Sequence, residues 1–218
     1  MIELHFLRHA HAGDPEAWTG DDAARPLSAK GEKQAERLGS FLAGVGFRPD
    51  AIINEAQRGV SRLISVTIAT QNPVARDLRY LLTLDHVTYE LERMGDHAAS
   101  VAKAVVKLAP YPPLERYVHL PEMAERAAVL VHGVLRALVE SDAVKAREIA
   151  VEDDEIDRLY HATFDEVVEL MRADPGNVER GTRIIIASHY LERIGDRATN
   201  IAEDVVYLVT GDVEDLNP

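Results

Sequence analysis

The chain has 218 residues, of which 46% are hydrophobic and 28% are charged, as in an ordinary globular protein of one or two domains. Its net charge of −13 repels nucleic-acid phosphates and argues against DNA or RNA as a partner. The sequence has no cysteine, which excludes disulfides and thiolate metal sites.

The first 54 residues predict a β–α–β opening. Ile2–Leu7 is a short apolar run suited to a strand, and Phe47–Ile53 is suited to a second strand. Between them, Ser28–Ala43 predicts a helix whose N-cap is Ser28. Two strands make a poor sheet by themselves, so this segment is not expected to form a complete domain.

The next segment predicts two helices. The first covers Glu55–Thr70, and a long second helix begins near Pro73, a residue well placed at a helix N-terminus. Up to Leu108, the apolar residues of the long helix are spaced three and four apart, which is the heptad pattern of a helix packed nearly parallel to others. The prolines of Ala109–Pro113 then end the helix and begin a linker.

Three more helices are predicted at about 121–148, 151–173 and 178–210, and the turn Asp174-Pro175-Gly176-Asn177 separates the last two. We therefore expect a mainly α fold of two tandem three-helix bundles, behind a short β–α–β-like segment. The helix of that segment is the one candidate for the first helix of bundle one. The predicted boundaries are 1–54 for the N-terminal segment, 55–109 for the first bundle, 110–120 for the linker and 121–218 for the second bundle.

The two bundles contain an internal repeat. Leu91–Leu108 reads LERMGDHAASVAKAVVKL, and Leu191–Leu208 reads LERIGDRATNIAEDVVYL, with ten of the eighteen positions identical. The heptad spacing of the apolar residues is the same in both copies. One helical unit therefore occurs twice in the chain.

Each copy carries a pair of acidic residues four positions apart. Glu92 and Asp96 share one helix face, as do Glu192 and Asp196, and a helical wheel places both pairs outward, roughly opposite the apolar seam. Like charges at this spacing repel, and a hard cation such as Mg²⁺, Mn²⁺ or iron would offset the repulsion. A solvated acidic face is the alternative interpretation.

A glycine lies inside each acidic pair, at Gly95 and Gly195. A glycine within a helix costs about 1 kcal/mol relative to alanine. Its recurrence predicts a close approach of another backbone or a ligand. Asp153 and Asp157 form a third pair with the same spacing, which by itself is weaker evidence because Asp153 also suits a first helical turn.

Four segments resemble the PhoU family of phosphate-uptake regulators. Ala69–Arg79 (ATQNPVARDLR) and Leu91–His97 (LERMGDH) resemble its first half, and Asp153–Asp157 (DDEID) and Leu191–Asp196 (LERIGD) resemble its second half. The resemblance covers about 51–218. It implies two three-helix bundles whose acidic motifs carry metal ions, Mg, Mn or Fe. The implied metal ligands are Glu92, Asp96, Glu192 and Asp196, with a less direct match for Asp153 and Asp157.

The N-terminal segment is instead similar to the start of a SixA-like histidine phosphatase. Leu7–Ala10 (LRHA) resembles the strand-end motif of that family, and Arg25–Ser28 (RPLS) resembles the start of its first helix. This similarity implies that His9 accepts a phosphoryl group. It stops near Asn54, so the rest of such a fold has no counterpart here.

Two functions follow from these resemblances, and the first is the prediction because about 54 residues cannot easily build the complete pocket that the second needs. The first is a non-enzymatic, cytoplasmic negative regulator of phosphate uptake that contacts a phosphate ABC transporter ATPase and a sensor histidine kinase; the second is a phosphohistidine phosphatase acting through His9. A helical bundle whose acidic faces bind nothing is a third interpretation. No apolar run approaches the roughly 18 residues of a membrane helix, so direct membrane insertion is not expected. A homodimer is left open.

Overall fold

The computed structural model describes residues 49–111 and 119–217, and all the regular structure in these two ranges is helical. The prediction of a mainly α fold built of helical bundles is confirmed. A 3-10 turn at Pro175–Asn177 joins the last two helices. Within the described ranges the α-helices are α1 (Pro49–Gln71), α2 (Ala75–Leu108), α3 (His119–Glu140), α4 (Ala143–Ala150), α5 (Asp153–Ala173) and α6 (Val178–Thr210).

The core of the protein lies around α6, which contacts α2, α3, α4 and α5. The heptad seam predicted for this helix is buried. Small and aliphatic side chains from the surrounding helices complete one continuous cluster, so α6 is the centre of the second half. The buried residues of this cluster include Val87, Met94, Met123, Leu130, Val134, Ala146, Ile156, Leu159, Ile201 and Val205.

A second buried stripe follows α6 beside the seam. Its members are mostly small, which lets neighbouring helices approach closely, and they recur at heptad-like intervals. The stripe consists of Gly181, Ser188, Gly195, Thr199, Ala202 and Val206. Helix α6 is therefore covered on more than one side, whereas the seam alone predicted one buried side.

Helix α1 begins at Pro49, six residues before its predicted start at Glu55. Residues 49–53 are therefore helical, and the predicted second strand over Phe47–Ile53 is wrong at these positions. A short β-branched run does not distinguish a strand from a helix end, which explains the error. The rest of the predicted β–α–β segment, including Arg8, His9 and the helix 28–43, lies outside the described residues.

The predicted helix 121–148 is two helices. Ser141 has φ of 51°, which ends α3, and Asp142 caps α4 by accepting hydrogen bonds from the backbone N–H groups of Val144 and Lys145, both at 3.0 Å. An aspartate that can cap a new helix makes a break here favourable. Helix α6 begins and ends at the predicted residues 178 and 210.

Among the residues that the structure describes, no helix is both long enough and apolar enough to cross a membrane.

Candidate metal centre

Three aspartates from two helices converge at one point of the second half. Asp153 and Asp157 lie on the first turns of α5, and Asp196 lies in the middle of α6. Each offers a carboxylate oxygen, and these three oxygens all lie within 4.8 Å of one another. The prediction that carboxylates at four-residue spacing share a helix face therefore holds here on two facing helices.

Glu192 adds a fourth carboxyl group, one turn before Asp196 on α6. Its pKa is raised to about 7, first by burial and then by the nearby charges of Asp196, Asp157 and Asp153. The Nδ1 atom of His189 lies 3.3 Å from Glu192 Oε2. The structure thus joins four of the six predicted ligands into one cluster.

Asp153 is the most buried member, with 2% of its surface exposed. Burial raises its pKa to about 7, and the charge of Asp157 acts in the same direction, whereas a hydrogen bond from Thr199 opposes the rise. One oxygen, Oδ2, accepts hydrogen bonds from Thr199 Oγ1 at 3.0 Å and from Asn217 Nδ2 at 3.2 Å. The carboxylate is therefore held in place although the environment disfavours its charge.

Gly195 makes room for this carboxylate. A Cβ atom at position 195 would lie 2.2 Å from Asp153 Oδ1, closer than any side chain tolerates. The glycine inside the acidic pair was predicted to allow a close approach of a backbone or a ligand. What approaches is the carboxylate of the neighbouring helix.

The donor set fits a hard cation. The Oδ1 atoms of Asp153 and Asp157 are buried and have no hydrogen-bond partner among the residues described. Buried carboxylate oxygens without partners are costly, and a divalent or ferric ion offsets this cost. All the donors are oxygens, which suit Mg²⁺, Mn²⁺ or iron.

Comparisons with known proteins place the chain in a family. The family model described as "PhoU domain" matches residues 45–105 and 120–205, that is, both copies of the repeat. The chain belongs to the PhoU family. The match begins six residues before the predicted limit of 51 and so reaches into the segment assigned to the phosphatase-like start.

Two curated relatives cover most of this PhoU-family chain, and both are named phosphate-specific transport system accessory protein PhoU homologs. The protein from Clostridium acetobutylicum is 36% identical over 187 residues, which are 85% of this chain and 84% of the relative. The protein from Streptococcus pneumoniae serotype 4 is 32% identical over 220 residues, which are 99% of this chain and 97% of the relative.

Solved PhoU structures have the same fold. The crystal structure of PhoU from Pseudomonas aeruginosa matches with a TM-score of 0.72 and 35% identity, over 75% of this chain and 78% of that one. The crystal structure of the phosphate transport system regulatory protein PhoU from Streptococcus pneumoniae matches with a TM-score of 0.69 and 33% identity, over 76% and 78%.

The acidic pair of α6 is less exposed than the helical wheel predicted. The side chains of Glu192 and Asp196 are 19% and 20% exposed, and both lie between α5 and α6. The wheel assumed one buried side, whereas the second stripe of small residues brings α5 against the supposed outer face. That stripe was visible in the sequence and was the missed signal.

The equivalent pair on α2 stands alone. Glu92 and Asp96 are half-buried, and in the described ranges no third carboxylate or histidine joins them to form a ligand group. Asp96 lies 3.9 Å from Arg93 Nη1 and its side chain is 44% exposed. The metal role of this pair stays a prediction.

Helix α1 contacts α2 at some distance from this pair. The Gln57 amide donates to Ser61 Oγ at 3.1 Å, and the Ser61 hydroxyl donates to Asp85 of α2. This polar contact lies about two helical turns before Glu92.

A buried ion network joins α2 to α6, and sequence reasoning missed it. Glu90 is 1% exposed, and its Oε2 atom accepts from Arg197 Nη1 at 3.3 Å. His86 lies beside them, with Nδ1 2.6 Å from Asp204 Oδ2, a contact that raises the pKa of His86. Glu90 lies next to the repeated motif without being part of it, so no repeat drew attention to it.

Proposed function

We propose that this chain regulates phosphate uptake and phosphate-starvation signalling through metal-dependent contacts with other proteins, without catalysing a reaction of its own. The proposed partners are a phosphate ABC transporter ATPase and a sensor histidine kinase, contacted in the cytoplasm. The family match over both halves carries the proposal. Two relatives that align with most of the chain are named accessory proteins of phosphate-specific transport.

The proposed metal centre consists of Asp153, Asp157, Glu192 and Asp196. A bound Mg, Mn or Fe ion would neutralise the clustered carboxylates and so hold α5 against α6. We propose Glu92 and Asp96 as a second and weaker site, because a site with fewer carboxylate ligands binds a cation less tightly.

The charge of the chain supports regulation by contact. With a net charge of −13, an acidic surface suits basic partner surfaces, and an ion in the second half changes that charge locally. A proton or a metal ion bound by the four carboxyl groups would lower the negative charge of this site. Partner binding that depends on the ion follows if the ion fixes the arrangement of α5 and α6.

The proposal is tested by a pull-down from phosphate-replete cells with the tagged full chain. We expect the wild type to retain the transporter ATPase and the sensor kinase with Mg²⁺ or Mn²⁺ present, and to lose them with a chelator. The double variant D157N/D196N should lose them in both conditions. The control D165N changes an exposed aspartate on the same helix and should behave as wild type.

Two results would contradict the proposal. Recovery of neither partner with the wild type under any metal condition would remove the partner assignment. Equal recovery with D157N/D196N and with D165N would separate the contacts from the metal centre.

The alternative function rests on His9, which lies outside the described residues, and stays a prediction. It is tested with a phosphohistidine substrate by comparing the wild type with His9→Ala. Equal background rates in both proteins would rule out the phosphatase and leave only the regulatory function. A rate that falls to background in the variant would establish a phosphatase.

A further inference from the structure

The segment after α6 folds back onto the second half. Helix α6 ends at Thr210, and the next residue, Gly211, has a φ of 84°, a left-handed conformation that glycine adopts at little cost. Residues 212–217, which we call the C-terminal tail, then reverse direction.

Three contacts fix the C-terminal tail. The Arg147 guanidinium of α4 donates to both carboxylate oxygens of Glu214, at 2.8 and 2.6 Å. The backbone N–H of Leu216 donates to Glu203 Oε1 at 2.9 Å, and the Leu216 side chain packs against the core. Because charged, backbone and apolar contacts act together, the tail has a defined position.

The C-terminal tail ends at the metal centre. Asn217 Nδ2 donates to Asp153 Oδ2 at 3.2 Å, the oxygen that also accepts from Thr199. A groove of about 450 Å³ lies here between the tail and α6. It is lined by Arg193, Asp196, Arg197, Asn200 and Glu203 of α6 and by Asp215 and Asn217 of the tail.

We propose that Asn217 is a positioning residue of the metal centre and that the C-terminal tail closes one side of it. The two donors on Oδ2 fix the carboxylate of Asp153, whose other oxygen, Oδ1, is the buried atom without a partner. An amide donor carries no positive charge, so it orients the carboxylate without repelling a cation. Asp196 differs, since its Oδ2 accepts from the charged Arg193 Nη1 at 2.7 Å.

This inference rests on the proposed metal centre and extends it to a residue outside the repeat. Hydrogen-bond donors behind a metal ligand typically change metal affinity by about 10- to 100-fold. By linkage, if the docked tail favours the ion, the ion must favour the docked tail by the same factor. Both directions are measurable on the full chain.

The first measurement is Mn²⁺ affinity by calorimetric titration of the full chain. We expect Asn217→Ala to weaken Mn²⁺ binding by about 10-fold and Asn217→Gln, which keeps the amide, to recover part of the loss. The control Asn200→Ala removes an amide from α6 in the same groove and should retain wild-type affinity. In chelator, Asn217→Ala should lose only the stability of one hydrogen bond, whereas a purely structural role would leave its Mn²⁺ affinity unchanged.

The second measurement is hydrogen exchange of the backbone amides of 212–217 in the wild type. Protection should increase with Mn²⁺, and the increase should disappear in Asn217→Ala. Unchanged Mn²⁺ affinity in Asn217→Ala overturns the inference alone. A wild type that binds no Mn²⁺ overturns the metal centre and this inference with it.

Discussion

At the scale of single residues, the proposed metal centre depends on the absence of a Cβ atom at Gly195. Gly195 gives up helix propensity, yet it admits the carboxylate of Asp153 to the surface of α6. Thr199 and Asn217 hold that carboxylate in place, so it cannot simply rotate away. The glycine thus lowers the helix propensity of α6 at this position and in return leaves room for the carboxylate of Asp153.

Gly195→Ala should therefore destabilise the protein by about 1–3 kcal/mol, because an added Cβ collides with Asp153 although alanine favours the helix. Urea unfolding in chelator measures the change. The control Gly59→Ala on α1 adds a Cβ that meets nothing within 4 Å, and it should leave stability unchanged or raise it slightly. A Gly195→Ala variant as stable as Gly59→Ala would contradict the steric explanation.

The carboxyl of Asp153 predicts how stability depends on pH without metal. Its pKa in the folded chain is raised to about 7, above the value near 4 of an unfolded aspartate. Its stabilising contribution is therefore complete below about pH 4 and is lost as the pH rises through the folded value. Glu192 acts in the same direction, since its pKa is also raised.

Asp153→Asn mimics the protonated carboxyl and should remove this dependence. In chelator at pH 8, we expect the variant to be more stable than the wild type by on the order of 1–3 kcal/mol, and the two to converge near pH 4. Denaturant unfolding at several pH values measures this. The same variant should lose Mn²⁺ binding, and a parallel pH dependence in both proteins would contradict the assignment.

At the scale of helices, α2 and α6 meet through a charge pair inside an apolar contact. Glu90 is almost fully buried, and Arg197 and His86 supply its partners from α6 and α2. A buried ion pair adds little net stability, but breaking it leaves an unpaired charge. We therefore expect the pair to favour the one arrangement of the two helices in which Glu90 faces Arg197.

Glu90→Gln should lower the free energy of unfolding by about 3 kcal/mol, because Arg197 loses its counter-charge while the shape of the contact is kept. Thermal and urea unfolding measure the effect. Glu125→Gln, at an exposed position of α3, is the matched control and should change stability by less than about 0.5 kcal/mol. Equal changes in stability in Glu90→Gln and Glu125→Gln would show that the ion pair does not stabilise the contact between α2 and α6.

Sequence analysis predicted the helix boundaries that follow from a long apolar period and missed those that depend on local contacts. The bounds of α6 follow from a long heptad pattern and a Pro-Gly turn, and the structure has them at 178 and 210. The break at Ser141 depends on one positive φ and one aspartate cap, and a mostly apolar helical pattern continues across it. The start of α1 was predicted six residues too late because an apolar run as short as the one before Glu55 shows no helical period.

The candidate site shows the same division. Four-residue spacing predicted which carboxylates share a face. Asp153, Asp157 and Asp196 meet accordingly, and Glu192 lies near enough for their charges to add to the effect of burial on its pKa. Their burial was not predicted, because it depends on which helices pack around α6. The hydrogen bond from Asn217 to Asp153 was not predicted either, since it depends on a tail that returns to the site after a turn.

At the scale of the whole molecule, the acidic pairs in the two copies of the repeat have different neighbouring side chains. In the second half, three aspartate oxygens lie within 4.8 Å of one another, whereas in the described part of the first half no third carboxylate or histidine joins Glu92 and Asp96. Among the residues described, the repeated acidic pair is therefore part of a larger ligand group in the second half alone.

This asymmetry predicts unequal metal binding. Titration with Mn²⁺ should give one tight site per chain, lost in D157N/D196N, and any second site should be weaker by at least about 10-fold. The double variant E92Q/D96N should abolish the weaker site and spare the tight one. Two sites of equal affinity, or loss of the tight site in E92Q/D96N, would contradict this distribution.

Asp196 and Arg197 are consecutive residues on the central helix. Asp196 faces the carboxylates of α5, and Arg197 reaches Glu90 in the first half. Both contacts therefore bear on one turn of α6. If the proposed metal centre binds an ion, a rotation of α6 that adjusts the position of Asp196 would also move the guanidinium of Arg197.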